Sequence, residues 1–214
     1  MLSRFGVLGD IHTEDERLSL ALDHFRDAGV DTLLSVGDIL DGGGDADRTC
    51  SLLRGAGVVA VTGNHDRWFL KGTSRGGEGD TLDLNDDHRA WLVALPSSRR
   101  FASPRGGVLL CHGVGDDDMA VLRPDTDAHS LRWMSGLHEL QRDPTVALMV
   151  GGHTHQRMVR ALPGLTVINA GTLHRGYAPG FIVVDLGTAR VETFDIDGGA
   201  VRAAETLDIP LPPE

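Results

Sequence analysis

Short apolar runs that stop at a glycine and a polar residue recur along the chain. They are RFGVLGD (4–10), TLLSVGD (32–38), VVAVTGN (58–64), GVLLCHG (107–113) and VALMVGGH (146–153), followed by LTVINAG (165–171) and FIVVDLG (181–187). Their length, β-branched content and glycine stops predict strands buried on both faces rather than helix segments. RVETFDI (190–196) alternates apolar and polar positions and is predicted to lie nearer a sheet edge.

Between these runs the apolar period becomes helical. Over 14–28, Leu18, Leu22 and Phe25 share one face, with Thr13 and Glu16 as a capping box and Gly29 as a stop. Residues 46–54 predict a shorter helix ending at Gly55. Residues 86–95 predict another after Asn85, with Trp91, Leu92 and Leu95 on its apolar face and Pro96 ending it. A further helix is expected over 127–141, carrying Leu131, Met134, Leu137 and Leu140. The order of elements predicts an α/β core with a second, more antiparallel sheet. KGTSRGGEGD (71–80) reads as a mobile loop inside the same domain, because the strand pattern resumes after it. The 214 residues, 1–214, are taken as a single domain with no internal repeat.

Charge and cysteine content narrow the function classes. A formal net charge of −11 disfavours sequence-independent nucleic-acid binding, which draws its affinity from lysine and arginine. It leaves room for a small anionic substrate held by local positive charge. Cys50 and Cys111 form neither a disulfide framework nor a metal knuckle, and are expected to be reduced, buried thiols. The start, MLSRFGVLGDIH, passes at once from a short apolar strand into charged residues, so no signal peptide is expected. No stretch approaches the length of a membrane span, and a cytoplasmic location without a membrane partner is the expectation.

The strand ends hold the candidate chemistry. Asp10 and His12 follow the first strand at i and i+2, where an extended chain projects both side chains the same way. Asp38 follows the second, Asn64 and His65 the third, His112 ends the fourth, and His153 and His155 repeat the i, i+2 spacing. Singly, such residues serve as turn formers or caps. Seven nitrogen and oxygen donors at the ends of five strands, nearly all introduced by glycine, point instead to a metal site. If these strands share one sheet edge, their carboxyl ends face a common crevice, where ligands bind in open α/β sheets.

GDIH (9–12), GDILDGG (37–43), GNHD (63–66), CHG (111–113) and GGHTH (151–155) resemble, in order, the five blocks of the calcineurin-like metallophosphoesterases. INAGT (168–172) is similar to the strand and turn that follow the last block. The resemblance implies a four-layer α/β/β/α sandwich with two mixed sheets and a centre of two divalent metal ions, manganese, iron or zinc. Asp10, His12 and His155 would hold one ion, Asn64, His112 and His153 the other, and Asp38 would bridge them. Imidazole and carboxylate donors without thiolate suit those metals. His65 resembles the residue that stabilises phosphoryl oxygens or protonates the leaving group, and Asp41 looks like its orienting carboxylate.

The implied activity is hydrolysis of a phosphodiester or phosphomonoester, nucleotides being the first substrate class, by attack of a metal-bridging hydroxide. Members acting on phosphoproteins often carry GDxxDRG and GNHE. Here Gly42 stands in the arginine's place and Asp66 in the glutamate's, so a bidentate phosphate contact is missing. Arg67, His174 and Arg175 are the candidates to replace it at the substrate, and the loop starting at Arg67 is a candidate pocket wall. The alternatives are a protein or dinucleoside polyphosphate phosphatase, or a non-catalytic scaffold on the same fold, as in retromer-associated relatives. The expected partner is a small phosphate ester.

Overall fold

The computed structural model describes residues 1–73 and 83–210. Residues 74–82, which take in most of the 71–80 stretch expected to be a mobile loop, lie outside the described residues, as do 211–214.

The chain runs β1 (Arg4–Leu8), α1 (Asp15–Asp27), β2 (Leu33–Ser35), α2 (Ala46–Gly55), β3 (Val59–Ala60), α3 (Asn64–Leu70) and α4 (Asp86–Val93). It continues β4 (Ser98–Ser103), β5 (Gly106–Cys111), α5 (Ala128–Leu131), α6 (Ser135–Arg142), β6 (Leu148–Gly151), β7 (Arg157–Leu162) and β8 (Leu165–Ala170). It closes with β9 (Gly180–Asp185), β10 (Arg190–Asp197) and β11 (Ala200–Asp208). One sheet has the order β11-β10-β9-β1-β2-β3, the other β4-β5-β6-β8-β7.

Both sheets are mixed. In the first, β1, β2 and β3 run parallel while β9, β10 and β11 are antiparallel. In the second, β5, β6 and β8 run parallel between antiparallel edges β4 and β7. The second sheet is therefore not the more antiparallel one. β10 lies one strand in from the edge, which β11 supplies.

Three apolar clusters define four layers. Leu18 and Phe25 of α1, Leu53 of α2, Phe69 of α3 and Leu92 of α4 pack on Leu8, Phe181 and Ile196 of the first sheet. Phe5, Val7 and Leu34 meet Leu110, Val150 and Ile168 between the sheets. Leu137 and Leu140 of α6 cover Leu109, Met149 and Val167 on the second sheet's outer face. On β5, Leu109 faces outward while Val108 and Leu110 face the other sheet, the period of two expected of a strand. Burial on both faces is why these strands read as continuous apolar runs.

Several local expectations are corrected. The segment 127–141 is two helices, not one. Asp127 caps α5 by accepting from the Ser130 N–H, and the chain turns at 132–134, leaving Trp133 exposed and bringing Leu137 and Leu140 onto the sheet. Thr13 and Glu16 form no capping box. Thr13 has φ 52° and its hydroxyl accepts from Gly44 N–H, while α1 starts only at Asp15. Residues 67–70, assigned to a loop, belong to α3. Among the described residues, no helix is long and apolar enough to cross a membrane.

Candidate metal centre

The two sheets present their parallel strands with the same ends together. Asp10, Asp38 and Asn64 follow β1, β2 and β3, whereas His112 and the GGHTH segment follow β5 and β6. The donors thus converge from two sheet edges rather than one. A parallel bridge between Asp10 and Thr172, beyond β8, joins the edges. The extended-chain argument for i, i+2 pairs is also corrected. His12, Asp38, Asp41, His153 and His155 have φ of 48, 47, 69, 68 and 58°, in the left-handed region. Non-glycine residues held there cost about 1–3 kcal/mol each and gather at functional sites.

The glycines let these loops touch. A Cβ on Gly63 would lie 2.1 Å from Asp38 Oδ1, and one on Gly37 would lie 2.4 Å from Gly63 N. GD and GN are therefore two halves of one close backbone contact. At Gly42 a Cβ would lie 2.0 Å from the His12 carbonyl oxygen, so this backbone admits no arginine side chain there.

The donors fall into overlapping groups. Potential ligand atoms lie within 4.8 Å of one another in Asp10–His12–His155, in Asp38–His112–His153, and in His12–Asp38–His65. His12 Nε2 is 3.2 Å from His155 Nε2, and Asn64 Oδ1 is 3.0 Å from His112 Nε2 and 2.9 Å from His153 Nδ1. Asp38 Oδ2 lies 3.2 Å from His112 Nε2 and 3.9 Å from His12 Nε2, between the two sets. His12 Nδ1 donates to the Asp41 carbonyl at 3.1 Å and His112 Nδ1 to the Val36 carbonyl at 2.9 Å. A carbonyl can only accept, so these contacts put the proton on Nδ1 and turn Nε2 inward, the usual support of a metal-bound imidazole.

Burial dominates the electrostatics. It lowers His155 to about 3, with His12 adding to the shift, and it also lowers His12 and His153. Those three rings are kept as neutral donors. Burial raises Asp10 to about 7, with Asp38 adding and His112 opposing. On Asp38 burial also acts upward, but His112, His12 and His65 outweigh it and hold the carboxyl below its usual range. For His112 burial acts downward, and Asp38 with Asp10 overcomes it, to about 10. The carboxylates thus stabilise positive charge at the point where Asn64, Asp38 and Asp10 meet. A divalent ion would displace the imidazole proton there. His155 Nδ1 is buried without a hydrogen-bond partner among the described residues. Inward imidazoles, a shared carboxylate and stabilised positive charge fit cations at this centre.

His65 stands beside the donors. Its backbone N–H donates to Asp38 Oδ1 at 2.9 Å and its Nδ1 to Asp41 Oδ2 at 2.5 Å. Asp41 therefore holds His65 with its carboxylate and His12 with its carbonyl. Of the three expected substrate contacts, His174 is at the centre, its ring centroid 5.3 Å from that of His12. Each of the two arginines is paired with a carboxylate. Arg67 donates to both carboxylate oxygens of Asp118 at 2.7 and 2.9 Å, and Arg175 to both of Glu14 at 2.8 and 3.0 Å.

Two acids have supporting roles that the sequence analysis did not assign. Asp66 is fully buried and accepts from the backbone N–H groups of Ile39, Leu40 and Gly63 at 2.9–3.0 Å, tying the second block to the third. Burial, aided by Asp38, raises it to about 7. Its signal was its place two residues after Asn64, at the first turn of α3. Glu14, 3% exposed, had little, because its partner Arg175 lies 161 residues away.

A profile of the calcineurin-like phosphoesterase superfamily domain matches residues 4–189. A probable metallophosphoesterase of Methanothermobacter thermautotrophicus is 28% identical over 200 residues, covering 91% of this chain and 92% of that protein. The uncharacterised protein MJ0912 of Methanocaldococcus jannaschii is 31% identical over 68 residues; the match spans 32% of this chain and only 28% of that protein's length. In fold, the chain is similar to a single mutant of Vps29 from Entamoeba histolytica, with TM-score 0.60 and 18% identity, over 97% of this chain and 99% of that one. With the profile spanning most of its length over the blocks that build the centre, the chain belongs to the calcineurin-like phosphoesterase superfamily.

Proposed function

We propose that the chain is a phosphoesterase with two divalent ions, manganese, iron or zinc, that hydrolyses a small phosphodiester or phosphomonoester, nucleotides first among them. The observation that carries this reading is Asp38 Oδ2, set between the His12 and the His112 sides of the donor cluster. Asp10, His12 and His155 would hold one ion, Asn64, His112 and His153 the other, with Asp38 shared. When bound, such ions polarise a phosphoryl oxygen and lower the pKa of water, effects worth several kcal/mol in transition-state charge.

The chain's own residues do the rest. Asp41 orients His65, which faces the donor cluster from the third block and gives a proton to the departing oxygen. Asn64 and Asp38 begin and brace the helix that bears His65. His174 lies against His12. The backbone at Gly42 argues against the arginine-dependent phosphoprotein reading. A scaffold would have no need of seven intact donors, five of them buried.

The test is a screen of a monoester, a diester and a cyclic nucleotide with protein loaded separately with manganese, iron and zinc. The expected result is two equivalents of bound metal and turnover that a chelator removes and one metal restores. Protein that takes up no metal, or takes up two equivalents and hydrolyses nothing, would overturn the reading.

A further inference from the structure

A row of aromatic rings crosses the centre. Trp68 contacts His65 with centroids 4.8 Å apart, His65 contacts His12 at 4.8 Å, and His12 contacts His155 at 5.1 Å and His174 at 5.3 Å. Beyond them stands Tyr177, 4.3 Å from His155 and 5.5 Å from His174, at near-perpendicular angles. It is the chain's one tyrosine, and it is 57% exposed.

Tyr177 is held in that place by a braced turn. Its N–H donates to the His174 carbonyl at 3.1 Å, and the Gly176 N–H donates to His174 Nδ1 at 3.0 Å. Arg175, between them, is fastened to Glu14 through its backbone N–H as well as its guanidinium. The ion pair between Arg175 and Glu14 therefore anchors the turn that carries His174 and Tyr177. A rigid exposed aromatic beside a reactive centre offers a ring partner at low entropic cost.

We propose that Tyr177, with His174 behind it, is a stacking subsite for a ring on the organic arm of the phosphate ester, so that ring-bearing esters are the preferred substrates. The proposal rests on the phosphoesterase reading above and adds the residue that selects among esters. A tyrosine that only shields His155 would affect every ligand alike, whereas a stacking subsite affects only ligands with a ring.

Calorimetric titration of the manganese-loaded protein with phenylphosphonate and methylphosphonate separates these, because the two differ only in the ring. Phenylphosphonate should bind roughly five- to tenfold more tightly, in line with aromatic stacking. Tyr177→Ala should bring the two within about twofold, and Tyr177→Phe should keep the preference. Adenosine 5′-phosphate against ribose 5-phosphate, compared by their KM values in turnover assays, extends the comparison to a nucleobase, and the larger preference names the favoured arm. A preference that survives in Tyr177→Ala, or an equal weakening of both phosphonates, would overturn the subsite. If neither phosphonate binds the metal-loaded wild type, the phosphoesterase reading fails and the subsite with it.

Discussion

The donor centre and its rim are built by different means. At the centre, loops meet backbone to backbone: Gly37 and Gly63 leave no room for a Cβ, and five of the residues there hold left-handed φ. At the rim, side chains brace side chains, Arg67 on Asp118 and Arg175 on Glu14, with one or both partners part-exposed. The centre has one geometry because the main chain itself is wedged. The rim can be rebuilt one residue at a time.

The largest effect should come from Asp38→Asn. It removes the charge shared by both donor sets, so bound metal should fall below two equivalents and turnover roughly 10³-fold or more. Metal analysis showing full dinuclear occupancy in this variant would break the bridging assignment. His65→Ala should leave the metal content intact and lower turnover about 10²–10⁴-fold, less for substrates with a good leaving group. Loss of metal in that variant would move His65 into the donor set.

Gly63→Ala tests the wedge directly. Its methyl group would meet Asp38 Oδ1, so the loop or the carboxylate must shift. A stability loss of about 1–3 kcal/mol by denaturant melts, together with weaker metal binding, is expected. Unchanged melting and metal affinity would mean that the two loops are not pinned to each other. The smallest effect belongs to the rim: Arg67→Ala removes a part-exposed ion pair, 39% and 28% exposed on its two sides. It should cost about 1 kcal/mol or less and leave metal content unchanged. A loss of metal here would erase the distinction between centre and rim.

The elements that escaped sequence reading share a physical cause. β4, β7 and β11 are sheet edges, with half or more of their positions in contact with water, so they show no apolar run. α3 is only seven residues long and opens on Gly63–Asn64, which carry a turn's chemistry. The split at 132–134 was hidden because Leu131 and Met134 keep an apolar spacing across it while packing only partly. The buried strands and helices α1, α2 and α4 were legible because burial imposes a period on residues close in sequence.

By itself the sequence determined the alternation of strands and helices, the glycine-introduced blocks and the seven candidate donors. These are local properties: period, turn chemistry and residue type are written within a few positions of each other. Only the tertiary structure decided that the donors come from two sheets, that His12, His153 and His155 reach the centre through left-handed backbone, and that Gly42 faces the His12 carbonyl. It alone paired Arg67 with Asp118 and Arg175 with Glu14, 51 and 161 residues apart, and so set Tyr177 at the rim. Contacts over such separations follow from how two sheets pack, which no local pattern along the chain encodes.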